Sequence, residues 1–170
     1  LVKRNDDNEL PAAESATADG NNISPSLPLR LTSSGYLSGE VQLEGVDTAL
    51  NFIVDTGASI SVISDELARM NEVNKHISPD KMRVVGAAGI TENVSSFVLP
   101  RLTFGSHSRE KIKAIALDLD VINETSGFEQ AGILGGNFLK NYRLTFDFKN
   151  SRVVFEPAGS LGGGGRLVTR

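Results

Sequence analysis

Apolar and polar positions alternate along most of this chain with a period of two, the signature of half-buried strands. Leu27, Leu29 and Leu31 alternate with Pro28 and Arg30, which predicts a short strand whose proline favours a sheet edge. A looser alternation over 36–43 carries Leu37, Val41 and Leu43. Glu44-Gly45-Val46-Asp47 then turns the chain, and 48–54 returns as the second arm of a hairpin. Residues 60–63 predict a further strand. Ser64 is a good helix N-cap, with Asp65 and Glu66 in the first turn and Leu67 as an apolar position, so a short helix should run to about 70–71. Strand-like arms at 82–85 and 90–98 flank Gly86-Ala87-Ala88-Gly89, a hairpin tip of small residues. Strand pieces follow at 97–100 and 102–105. Over 112–121, Ile112, Ala114 and Ala116 share one face and Ile115, Leu117, Leu119 and Val121 the other, which predicts a strand buried on both sides. Residues 123–130 read as a polar loop. Ile133-Leu134, bracketed by glycines, precedes a brief helix. Tyr142, Leu144, Phe146 and Phe148 then point inward and Arg143, Thr145 and Asp147 outward, with 152–156 pairing back. The pattern predicts an all-β fold with one or two short helices, in a small barrel or sandwich.

Composition limits the function more than the fold. The 170 residues are enough for one domain with a core. A net charge of −4 argues against nucleic acid as the main partner. No apolar run reaches the length of a membrane span. With no Cys, thiol catalysis, disulfides and Cys-bound zinc are excluded, although the redox compartment is not fixed by that absence. His76 and His107 lack ligand spacing, so no metal or other cofactor is expected. Ser59, Ser61 and Ser64 lack a nucleophile-elbow context. Residues 1–26 are polar and small, a tail, linker or pro-segment. Residues 158–170 contain four consecutive glycines and read as a flexible tail or linker. Between them, 27–157 is the folded domain. The missing start Met and the lack of Cys weakly favour an exported, periplasmic or membrane-anchored origin.

The chemistry concentrates at Phe52-Ile53-Val54-Asp55-Thr56-Gly57-Ala58-Ser59. A strand-forming run delivers the Asp55 carboxylate to a strand end, and Gly57 permits a sharp turn that leaves backbone amides near it. The tripeptide gains meaning from its context. A Gly-tipped hairpin follows, and further on Ile133-Leu134-Gly135 leads into a short helix. In that order the chain resembles one lobe of an aspartic protease of the retropepsin-like group. Gly136-Asn137-Phe138-Leu139 and Leu144-Thr145-Phe146-Asp147-Phe148 look like the cellular and bacterial members, some of which accompany a PDZ domain. Ala131 stands where the family commonly carries an acidic residue or Asn. The resemblance covers about 27–157.

The resemblance implies a single-lobe closed barrel and an aspartic endopeptidase acting on polypeptides. It makes Asp55, Thr56 and Gly57 the catalytic loop. Ala58 and Ser59 would line the cleft, Val85, Gly86, Ala87, Ala88 and Gly89 would form a flap, and Ile133 and Leu134 would sit beneath the loop at the substrate site. Hydrolysis by this route needs two carboxylates sharing one proton. The chain has one Asp-Thr-Gly and no Asp-Ser-Gly, so a homodimer is expected to complete the pair. Two alternatives stand beside it: a non-catalytic peptide-binding or scaffolding module on the same fold, and one lobe of a longer two-lobed protease.

Overall fold

A computed structural model describes residues 26–86 and 89–158. The tails assigned to 1–26 and 158–170 lie outside them, apart from Ser26 and Ala158. The elements run in order β1 (Ser26–Pro28), β2 (Arg30–Leu31), β3 (Leu37–Leu43), β4 (Leu50–Val54), β5 (Ser61–Ser64), α1 (Asp65–Arg69) and α2 (Asn71–Asn74). The long hairpin arms β6 (Ile77–Gly86) and β7 (Gly89–Phe104) follow, then β8 (His107–Leu117), α3 (Asp120–Ser126), β9 (Gly132–Leu134), α4 (Gly136–Leu139), β10 (Tyr142–Asp147) and β11 (Arg152–Pro157).

Eight strands form one sheet in the order β2-β3-β4-β9-β5-β8-β7-β6. Pairing of β3 with β7, in the register Val41↔Phe104, joins the sheet to itself and closes a barrel. Two of the barrel's contacts are parallel, β4 with β9 and β5 with β8; the others are antiparallel. A second sheet, β1-β11-β10, packs beside the barrel. The expected closed all-β barrel with few short helices is therefore the architecture.

Two apolar clusters fill it. The larger holds Phe52, Phe97, Leu99, Leu102, Phe138 and Phe155, all essentially buried. Complete burial of each such side chain stabilises by about 1.5–3 kcal/mol. The smaller is Val62, Val94, Ile115 and Leu119, with Ile60, Met82, Val84, Leu117 and Ile133 packed on it. An aromatic junction ties the second sheet to the barrel. His107 stacks on Phe155 at 4.8 Å, and Tyr142 meets Phe155 edge-on at 5.3 Å.

Several elements follow the sequence pattern closely. Ser64 caps α1, its hydroxyl accepting from the Leu67 N–H at 3.1 Å, and the helix stops at Arg69. Others differ from it. The stretch 27–31 is two strands in two sheets, because β1 pairs with β11 and β2 with β3. The pieces at 97–100 and 102–105 are one 16-residue strand with the second hairpin arm. Val121 is not in a buried strand: β8 ends at Leu117, and Val121 sits exposed on α3, which replaces the first half of the polar loop expected at 123–130. Phe148 does not face the core but is 72% exposed. The Asp147 carboxylate accepts from the Asn150 N–H (3.0 Å) and side-chain amide (2.6 Å), so the turn starts there and Phe148 leaves the strand's alternation.

Candidate active site

β4 ends at Val54, and the next three residues, Asp55, Thr56 and Gly57, are exposed at the barrel's end. The turn is held from both sides. The Gly57 N–H donates to Asp55 Oδ1 at 2.8 Å, which fixes the carboxylate over its own loop. The Asp55 N–H donates to the Leu134 carbonyl at 3.1 Å, extending the parallel β4–β9 ladder (Ile53↔Ile133, Val54↔Leu134) to the base of the loop. Leu134, buried in the main core, thus anchors the base of the loop, while Ile133 packs on the smaller cluster.

The far side of the loop is clamped by the start of α4. The Gly136 N–H donates to the Ala58 carbonyl (2.6 Å) and the Asn137 N–H to the Ser59 carbonyl (3.2 Å). The Asn137 side chain completes the clamp. Its Oδ1 accepts from both the N–H and the hydroxyl of Ser61, at 2.9 and 2.8 Å, while its Nδ2 donates to the Lys113 carbonyl at 2.6 Å. Ser61 Oγ in turn accepts from the Gly135 N–H at 3.1 Å. Three of the amide's four hydrogen-bonding positions are thereby used to join β5, β8 and α4 behind Asp55. Composition and pattern gave no sign of this role for Asn137 and Ser61, since their partners are distant in sequence.

In front of Asp55 lies a cleft of about 650 Å³. Asp55, Gly57, Ala58 and Ser59 form one wall, and Met82, Arg83, Val84, Val85 and Gly86 of the β6 arm form the other. Ile60, Val62, Ile115 and Leu117 line it as well, so the smaller core cluster is continuous with the cleft. Of the residues expected from sequence, Asp55, Gly57, Ala58, Ser59, Val85 and Gly86 converge here. Gly89 begins β7 directly opposite Gly86 at the hairpin tip, and Ala87 and Ala88 lie outside the described residues. Ile60, Val62, Met82, Arg83, Val84, Ile115 and Leu117 were missed, because only the pairing of β5, β6, β7 and β8 brings them together.

Thr56 faces elsewhere. It borders a separate groove of about 480 Å³ with Gly136, Leu139, Lys140, Tyr142, Leu144 and Phe146. Tyr142, Leu144 and Phe146, the inward members of the β10 alternation, are only half-buried. The loop thus has a cleft on one side and a largely apolar groove on the other.

Comparison with known proteins bears on the family and the fold. A protein-family model described as aspartyl protease matches residues 39–138, from β3 to α4. No curated protein matches the chain. Among solved structures the fold is similar to that of a retropepsin-like aspartic protease from Rickettsia conorii. The TM-score is 0.53 at 16% identity, over 78% of this chain and 89% of that one.

Proposed function

This chain belongs to the aspartyl protease family and is an aspartic-type endopeptidase, and from that premise we propose that it works as a homodimer with one Asp55 from each protomer. The observation that carries the proposal is that the chain has a single Asp-Thr-Gly, exposed at a strand end beside a half-buried apolar groove. Two carboxylates at close range share one proton, because both cannot stay charged. The ionised one takes a proton from water as that water attacks the scissile carbonyl. The protonated one hydrogen-bonds the carbonyl oxygen, and a proton passes to the leaving amine as the C–N bond breaks. A second copy meeting this one at Thr56 would bring the two loops together and cover Leu139, Tyr142, Leu144 and Phe146.

The peptide would lie in the cleft as an extended strand, with Ala58 and Ser59 beneath it. The β6–β7 hairpin, with Val85 and the tip from Gly86 to Gly89, would act as the flap that closes over it. Small tip residues let backbone approach the peptide. Apolar side chains at Ile60, Val62, Met82, Val84, Ile115 and Leu117 favour burial of an apolar substrate side chain.

Cleavage of an unbiased peptide mixture by the purified chain and by Asp55→Asn tests this, with dimer content followed against protein concentration. The expected result is parent activity that rises faster than linearly with concentration, and none in the variant. Equal activity in both would remove Asp55 from the chemistry. A stable dimer inactive in both forms would favour a peptide-binding module. An inactive monomer would favour one lobe of a two-lobed enzyme.

A further inference from the structure

Asp55 and Arg83 are the two charged side chains among those lining the cleft. The hairpin is irregular opposite Arg83. Met82 pairs with Val94 and Val84 with Thr91, so Glu92 and Asn93 of β7 together stand opposite the single residue Arg83 of β6. Asn93 takes the extra residue's left-handed conformation, with φ of 60°. In a regular strand, Met82 and Val84 would share one face and Arg83 would take the other. The extra residue belongs to β7; along β6, Met82 and Val84 are half-buried and Arg83 is exposed, and all three border the same cleft.

Among the described residues the guanidinium has only a loose partner. Its nearest carboxylate, Glu92 across the bulge, is 3.7 Å from Nε, and the two side chains are 63% and 69% exposed. Such a pair is weak and readily exchanged. The other cation on this arm, Lys81, donates to Ser95 Oγ at 2.8 Å.

We propose that Arg83 is a specificity-determining residue that selects peptides carrying an acidic side chain close to the apolar residue held in the cleft. The inference rests on the peptidase reading of the same cleft. A substrate carboxylate replaces Glu92 as the partner of Arg83, and closure of the hairpin over the peptide partly removes that pair from water and strengthens it.

The test is a synthetic peptide library randomised on both sides of the scissile bond, cut by the parent, Arg83→Ala and Arg83→Glu. The parent should prefer Asp or Glu over Asn or Gln by about fivefold in kcat/KM at one position. Arg83→Ala should lose that preference while still cutting after the same apolar residues, and Arg83→Glu should reverse it towards Lys or Arg. A parent with no acidic preference, or one that survives unchanged in Arg83→Ala, overturns the inference and leaves the peptidase reading intact. Binding separates the two readings further. Labelled Glu- and Gln-containing forms of one peptide should differ about fivefold in affinity for Asp55→Asn, and equal affinity overturns the role of Arg83 whether or not the parent cleaves.

Discussion

Gly135 and Gly136 are neighbours in sequence and opposites in tolerance. Gly135 has φ −98° and ψ −175°, a conformation that alanine adopts freely. A methyl group added there would nonetheless lie 2.5 Å from the carbonyl carbon and oxygen of Ile60 and 2.9 Å from the Ser61 nitrogen. These are backbone atoms at the entrance to β5, which is paired on one side with β8 and on the other with β9. They have no rotamer by which to escape. At Gly136 the nearest atoms are the Ala58 and Ser59 oxygens at 3.3 and 3.5 Å, and the residue starts α4, where alanine is the better helix former. Gly135→Ala should therefore cost about 1–3 kcal/mol by overpacking, lowering Tm by roughly 3–15 °C in a domain of this size. Gly136→Ala should stay within about 1 kcal/mol of the parent. Because Ile60 and Ser61 follow directly on the Asp55 loop, Gly135→Ala should also lower kcat by roughly 10- to 100-fold, the cost of misplacing a reacting group by about an ångström. Thermal unfolding of both variants, paired with peptide cleavage, reads the two effects. If Gly135→Ala melts with the parent, or if Gly136→Ala is the more damaging, the close-approach argument is wrong.

Two further outcomes follow from Asn137 behind the loop and from His107 in the aromatic junction. Asn137→Ala leaves Ser61 and the Lys113 carbonyl without their partner and should cost about 1–3 kcal/mol in urea unfolding; no loss would show that water replaces the amide at little cost. His107 is held below its ordinary pKa by burial and then by Arg109. The folded state then binds fewer protons than the unfolded chain, so stability falls as pH drops below the unfolded value of about 6.5. His107→Gln should keep more of its neutral-pH stability at pH 5 than the parent does. Urea midpoints at the two pH values check this, and an equal acid loss in both proteins would place the acid-sensitive groups elsewhere.

What the sequence made legible was local. The run into Asp55, the cap at Ser64, the small-residue hairpin tip and the β10–β11 hairpin each depend on neighbours a few positions away, and side-chain period and turn chemistry report on those. Val121 and Phe148 show where that logic stops. Both continue an apolar alternation on paper, but the strands end before them for reasons outside the alternation, an α-helix at Asp120 and the Asp147–Asn150 turn. The long strand β7 was read in pieces because Pro100 interrupts its pattern; Pro100 lies between the paired residues Leu99 and Arg101. The cleft was only half legible. Asp55, Ala58 and Ser59 share a loop, and Val85 and Gly86 a hairpin. The apolar lining from Ile60, Val62, Ile115 and Leu117, like the Asn137 clamp, depends on strand pairings between distant segments, and one sequence carries no signal for partner choice.

The parallel pairing of β4 with β9 has a consequence for how the molecule comes into being. Val54 and Leu134 are roughly eighty positions apart, and pairings this distant raise contact order and slow folding. During synthesis from the N-terminus, the strand that carries Asp55 is made long before the strand that must hold it. Until β9 and α4 emerge, the Asp55 N–H has no Leu134 carbonyl to bind, and the Ala58 and Ser59 carbonyls have no donors. A nascent chain would therefore carry the acidic residue without its mounting, so the order of translation itself delays the ordering of the Asp55 loop until most of the domain exists.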